Sequence, residues 1–211
     1  MKNQKKISEI FQFLNKQNVD FIILRKQEKL FDVEENDIDI LTKYDQLYHL
    51  KKIFNKFNFL TYTDSKYINN YLYKSIPHTH FYNKDKDLNF DVCFDISYRS
   101  INNHEFIPIN DEQLEFIWSN KIKIDREDFY HFQMDDYSQI IHLICHCVFD
   151  KNKFSDYYQN KISEIFNKID RNVFLKMVDP IFYSFGNNLY ELIQKKNFNH
   201  IFNDYLSFKD Y

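Results

Sequence analysis

Asn36-Asp37-Ile38-Asp39-Ile40-Leu41 is the stretch on which the reading of this chain turns. In a strand, side chains alternate between faces, so the Asp37 and Asp39 carboxylates share one face and Ile38 and Ile40 the other. Two acids are then held side by side on a rigid ribbon. Carboxylate oxygens are hard ligands suited to Mg²⁺ or Mn²⁺. Such a pair can bridge two ions that clamp the attacking and leaving oxygens of a phosphoryl or nucleotidyl transfer. The plain alternative is a half-exposed strand with its polar residues turned to water. So short a pattern does not choose between the two, and the flanking sequence has to.

Upstream, Phe21-Ile22-Ile23-Leu24 reads as a short buried strand. It ends in Arg25-Lys26-Gln27, and a polar connection through Glu34, Glu35 and Asn36 leads to the acidic strand. Before it, Ile7, Ile10, Phe11 and Leu14 recur at helical spacing and predict an amphipathic helix from about Lys5 to Gln17. Downstream, Leu47, Leu50, Phe54 and Phe57 predict a helix over Tyr44 to Phe57. Leu60 to Thr63 suits a strand, whereas Lys66 to Lys74 reads equally as strand or helix. Thr79 to Asn83, the turn-like Lys84-Asp85-Lys86-Asp87 and Leu88 to Ile96 form a hairpin pattern. In its second strand Asp91, Cys93 and Asp95 share a face opposite Phe90, Val92 and Phe94, so a third acid can sit beside the first two.

After a loop at Arg99 to Pro108, the pattern predicts a helix at Glu112 to Ser119 and a strand at Phe129 to Phe132. The remainder is helical: Asp135 to about Phe149, Phe154 to Ile169, Phe174 to Phe185 and Leu189 to about Leu206. Pro180 belongs near a helix start or at a kink. The expectation is an α+β domain over residues 1–133, a mixed sheet flanked by helices. An all-α domain follows over residues 134–211, with an active cleft between the two.

Composition narrows the function. The chain has 211 residues, with 28 Lys and Arg against 31 Asp and Glu, a net charge of -3. That balance gives no bulk attraction to nucleic acid or to an anionic membrane, though a local basic groove stays open. Its single glycine, Gly186, removes phosphate-binding loops and dinucleotide fingerprints, which need glycines where backbone approaches phosphate. Aromatic residues are 19% of the chain, enough to favour a packed core over disorder. Cys93, Cys145 and Cys147 are odd in number and lack framework spacing, as expected of a reduced, cytoplasmic protein. The basic start, Met1-Lys2-Asn3-Gln4-Lys5-Lys6, has no apolar run after it, and no stretch is apolar for long enough to span a membrane.

The order of these pieces resembles the nucleotidyltransferases of the DNA polymerase β-like superfamily. That family shares a helix, a strand ending in a Gly-containing phosphate loop, and then a strand bearing Asp-hydrophobic-Asp. Val19 to Leu24 looks like the first strand, Asp37-Ile38-Asp39-Ile40 like the acidic one, and Asp91 within Asn-Phe-Asp-Val like the third carboxylate. The resemblance covers about Lys5 to Tyr98. The helical remainder is more loosely similar to the C-terminal regions of minimal bacterial members.

The resemblance implies that Asp37 and Asp39 hold two divalent ions, Mg²⁺ or Mn²⁺, with Asp91 completing the second site and taking a proton. The reaction implied is transfer of a nucleoside monophosphate from an NTP to a hydroxyl of a small molecule, sugar, protein or RNA. Asp95 points the same way as Asp91 and competes with it for the third role. Where the family carries Gly followed by Gly or Ser, this chain has Arg25-Lys26-Gln27. Arg25 or Lys26 then binds phosphate by charge, or the loop has lost the nucleotide and the protein is a non-catalytic binding or regulatory relative. Three converging carboxylates argue for the active form, because without a cation they repel one another.

Other candidates are weaker. His142 and His146, with Cys145 and Cys147, are spaced to chelate zinc from a helix, but they lack a second ligand pair, and core-facing histidines explain them as well. Asp150-Lys151 reads as a substrate-contact pair or a helix-end ion pair. Tyr98-Arg99 can stack on and pair with an anionic substrate, and His78 and His80 read as exposed strand residues.

Overall fold

The computed structural model describes residues 2–25, 30, 37–62, 78–83, 88–99 and 106–208. They form two compact units. Residues 1–96 and 120–134 make the first, and residues 97–119 and 135–211 the second.

In the first unit α1 (Lys2–Lys16) precedes β1 (Phe21–Ile23), β2 (Asp37–Thr42), α2 (Leu47–Lys56) and β3 (Phe59–Tyr62). Then come β4 (His78–Asn83) and β5 (Asn89–Cys93), and later β8 (Ile122–Asp125) and β9 (Tyr130–Gln133). The seven strands make one mixed sheet in the order β3-β4-β5-β2-β1-β9-β8. The pairs β2/β5 and β1/β9 are parallel, and the other neighbours are antiparallel. The helices α1 and α2 cover one face. Ile7, Ile10, Phe11 and Leu14 of α1 and Leu50, Ile53 and Phe54 of α2 share a core with Ile38, Ile40, Phe90 and Val92 of the sheet. The apolar half of Asp-Ile-Asp-Ile is thereby fixed inward, which obliges Asp37 and Asp39 to the opposite face.

Asparagine does the work of the missing glycines. Asn18 has φ 52°. Val19 N–H donates to the Leu14 carbonyl and Asn18 N–H to the Asn15 carbonyl, both at 3.0 Å, which is the paired closure of a left-handed helix cap. Asn58 and Asn152 adopt the same backbone, at φ 59° and 53°.

The second unit holds the antiparallel pair β6 (Ser97–Arg99) and β7 (Phe106–Pro108) and helix α3 (Asp111–Ser119). It continues with α4 (Asp136–Cys145), a π-helical turn at His146–Lys151, α5 (Asp156–Phe166), α6 (Arg171–Phe182), α7 (Gly186–Gln194) and α8 (Phe198–Ser207). Asp135 caps α4 by accepting from Ser138 N–H, and Asp170 caps α6 by accepting from the N–H groups of Asn172 and Val173. Among the described residues no helix is long and apolar enough to cross a membrane.

Several elements differ from expectation. The stretch 99–108 contributes paired strands at both ends, and β8 is an edge strand that the sequence pattern does not announce, being mostly exposed. The helix expected over Leu189 to Leu206 is two, because Lys196 turns left-handed at φ 55° and Asn197 N–H closes back onto the Leu192 carbonyl at 2.8 Å. Pro180 lies inside α6, near its C-terminal end. The ambiguous stretch Lys66 to Lys74 lies outside the described residues.

Candidate functional site

The acids meet through strand pairing. In the parallel ladder of β2 and β5, Asp39 stands opposite Asp91, and Asp37 opposite Asn89. Asp37, Asp39 and Asp91 therefore share the sheet face turned away from the α1–α2 core. Asp95 is past the end of β5, in the bend before β6, so it does not continue the face of Asp91 and Cys93 as its spacing suggests.

Arg25 closes on this cluster. Leu24 N–H donates to the Asp39 carbonyl at 3.0 Å, extending the β1/β2 pairing by one residue and delivering the next side chain to the acids. Arg25 grips Asp39 with two donors, Nη2 to Oδ1 at 2.6 Å and Nε to Oδ2 at 3.1 Å. Both carboxylate oxygens are engaged, in a pair whose side chains are only 18% and 13% exposed. Such a fork is stronger and more directional than a point-charge pair. Lys26 lies outside the described residues.

On the other flank β4 pairs with β5 so that His80 stands opposite Asp91, with its Nδ1 3.7 Å from Asp91 Oδ1. His80 therefore belongs to the acid face, and its reading as a plain exposed residue needs correction. A signal for this was present. Asn83 N–H donates to the Leu88 carbonyl, and counting outward from that pair sets His80 against Asp91.

The electrostatics follow from crowding. Burial pushes the Asp91 carboxyl up to about 6; His80 and Arg25 oppose that rise and Asp39 adds to it. Asp37 is also raised, first by burial and then by the negative charges of Asp39 and Asp91. Like charges close together disfavour ionisation of each, so the cluster is short of positive charge even with Arg25 present. An all-oxygen anionic donor set of this kind suits a hard divalent cation. Among the described residues no three His, Cys, Asp or Glu side chains stand in the arrangement of a metal cage.

The remaining candidates lie in the second unit. Arg99 ends β6, its backbone paired with Phe106, and Tyr98 is buried against Phe149. Lys151 is exposed at the end of the π-helical turn, while Asp150 pairs with His146, Oδ2 to Nδ1 at 3.0 Å. His142 and His146 are buried with near-parallel rings. Cys145 is fully buried, which pushes its thiol up.

No family model matches this chain, and no curated protein matches it in sequence. Its fold is similar to the solution structure of ANT(2'')-Ia, an antibiotic-resistance factor, with a TM-score of 0.53 at 8% identity over 93% of this chain and 97% of that one. A lower similarity, TM-score 0.45 at 8% identity over 77% of this chain and 95% of the other, is to the lincomycin-bound crystal structure of LnuA, a lincosamide antibiotic adenylyltransferase. The fold shared with ANT(2'')-Ia is a mixed sheet flanked by helices with a helical C-terminal region.

Proposed function

We propose that the chain transfers a nucleoside monophosphate from an NTP to a hydroxyl, with Asp37, Asp39 and Asp91 as its reacting site. The observation that carries this reading is the β2/β5 register, which sets Asp91 opposite Asp39 on the face that also bears Asp37. Bound at Asp37 and Asp91, Mg²⁺ or Mn²⁺ would neutralise triphosphate charge and acidify the acceptor hydroxyl. The acceptor oxygen forms a bond to the α-phosphorus as the bond to the β-phosphate oxygen breaks, and pyrophosphate leaves. Asp91, half-buried between Asp39 and His80, takes the proton of the attacking hydroxyl. Lys26, next in sequence, would supply positive charge for the phosphates, and Arg25 would join it only by leaving Asp39. Arg99 and Lys151 stay candidates for substrate contact on the sequence alone. We place the reaction in the cytoplasm, on the odd number of cysteines and their lack of framework spacing in the sequence.

The fold similarity to an antibiotic-resistance factor makes small hydroxyl-bearing antibiotics the first acceptors to try. The test incubates the protein with each NTP, Mg²⁺ or Mn²⁺, and a panel of such antibiotics and sugars, and weighs the products by mass spectrometry. The expected result is an acceptor heavier by one nucleoside monophosphate, with equimolar pyrophosphate, and loss of both in Asp37→Asn and Asp91→Asn.

A second reading is a non-catalytic module that binds nucleotide or a partner. The Arg25 fork on Asp39 favours it, because it satisfies Asp39 without metal or substrate. A folded protein whose melting temperature no NTP shifts, with or without metal, and which forms no adduct, decides for this reading.

A further inference from the structure

We infer that Arg25 stands in for a cation at Asp39, so that Asp39 ligates no divalent ion while the guanidinium is in place. Nη2 and Nε occupy one lone-pair direction on each oxygen of Asp39, at 2.6 and 3.1 Å, and set a fixed positive charge where a metal ion would have to approach. The arginine is delivered by the sheet itself, since Leu24 N–H is bonded to the backbone of Asp39 at 3.0 Å. Arg25 is therefore the residue after a register-locked position, not a surface side chain that happens to fall on an acid.

Chemistry makes the replacement durable. A guanidinium stays protonated throughout the range in which proteins are folded, and its planar fork matches a carboxylate better than an ammonium does. A divalent ion arriving at Asp39 has to displace two charge-assisted bonds that are mostly shielded from water. Asp37 differs, because it is the most exposed of the three acids and makes no ion pair with any described residue. The cluster thus presents one acid already compensated by an internal cation and one open to an external one.

The inference rests on reading the three acids as a cation site, but not on nucleotidyl transfer, and its test reads metal binding alone. Mn²⁺ binding to the full chain is measured by calorimetry and by electron paramagnetic resonance. The proteins are the wild type, Asp39→Asn, Arg25→Ala and the double variant. Asp39→Asn is expected to leave wild-type Mn²⁺ affinity within about twofold. Arg25→Ala is expected to tighten it, or to add a site, by about tenfold or more, and the added Asp39→Asn should remove that gain, the pattern of two directly coupled residues. Arg25→Gln, which keeps the bulk without the charge, serves if Arg25→Ala does not fold and is expected to gain Mn²⁺ affinity likewise, whereas Arg25→Lys should gain little.

Loss of wild-type Mn²⁺ binding in Asp39→Asn would overturn the inference, and so would Arg25 variants that bind no better than wild type. Either outcome leaves the transfer assay to be judged on its own. A failed transfer assay with the expected Mn²⁺ pattern would remove the proposed reaction and keep the role of Arg25.

Discussion

Without the Arg25 guanidinium, Asp39 faces Asp37 and Asp91 with nothing to balance it inside a region largely closed to water. Breaking a shielded pair from one side costs more than the pair contributes, because the survivor stays buried and charged. Arg25→Ala is therefore expected to lower stability by about 3 kcal/mol, and adding Asp39→Asn should restore most of it, as urea unfolding of the single and double variants will read out. His131 makes a separate, pH-dependent case. It is fully buried, and neither ring nitrogen has a hydrogen-bond partner among the described residues. Burial, helped by Arg126, lowers its pKa to about 4 from the ordinary 6.5. Between those values the unfolded chain binds the proton and the folded one does not. Stability from this residue is then complete above pH 6.5 and drains as the pH falls toward 4, by up to about 3 kcal/mol, with no further loss below. Urea unfolding followed from pH 7 to pH 4 should show that slope in wild type and a flatter one in His131→Phe. At this scale the sequence was informative about identity and poor about company. The three acids were visible from strand alternation, and His80 was missed although the hairpin count reaches it, but nothing in Arg25-Lys26-Gln27 says that the arginine turns onto Asp39 and not outward to phosphate.

The elements were legible where periodicity and burial coincide, as in α1, where Ile7, Ile10, Phe11 and Leu14 are all buried, and in β5, whose alternation is intact. They were not legible where the decisive fact is a partner distant in sequence. Asp39 and Asp91 face each other because β2 and β5 run parallel, and parallel neighbours carry no local turn from which a register can be counted. Chain reversals were hidden for another reason. With one glycine in the chain, left-handed caps fall to Asn18, Asn58, Asn152 and Lys196, and a lysine there looks like any helical lysine. The Asn18 cap joins α1 to β1 and lies three residues after Asn15, whose side chain accepts from Tyr130 N–H of β9 at 2.9 Å. Asn18→Ala forces a Cβ-bearing residue without a local hydrogen-bonding side chain into the left-handed region. It is expected to cost about 1 kcal/mol in chemical denaturation, while Asn18→Gly stays close to wild type.

Across the whole molecule the chain passes from the first unit to the second at Ile96, returns at Asn120, and leaves again after Met134. A single division near Met134 is therefore an incomplete description: residues 97–119 belong with the helices. Their side chains show why. Tyr98 packs on Phe149, Gln113 Nε2 donates to the Met177 carbonyl at 2.9 Å, and Ile109 and Ile117 help line a small cavity with Ile141, Met177 and Ile181. A fragment of residues 135–211 loses all of these contacts and exposes the apolar side of α4 and α6 that they cover. A fragment of residues 97–211 keeps every one of them, at the cost of carrying β8 and β9 without their sheet. If apolar burial drives folding of the helical unit, the longer fragment should unfold cooperatively in urea and give dispersed amide resonances. The shorter should bind a hydrophobic dye and melt without a sharp transition. Cooperative unfolding of residues 135–211 on their own would show that the helices suffice, and that residues 97–119 rest on a core already complete.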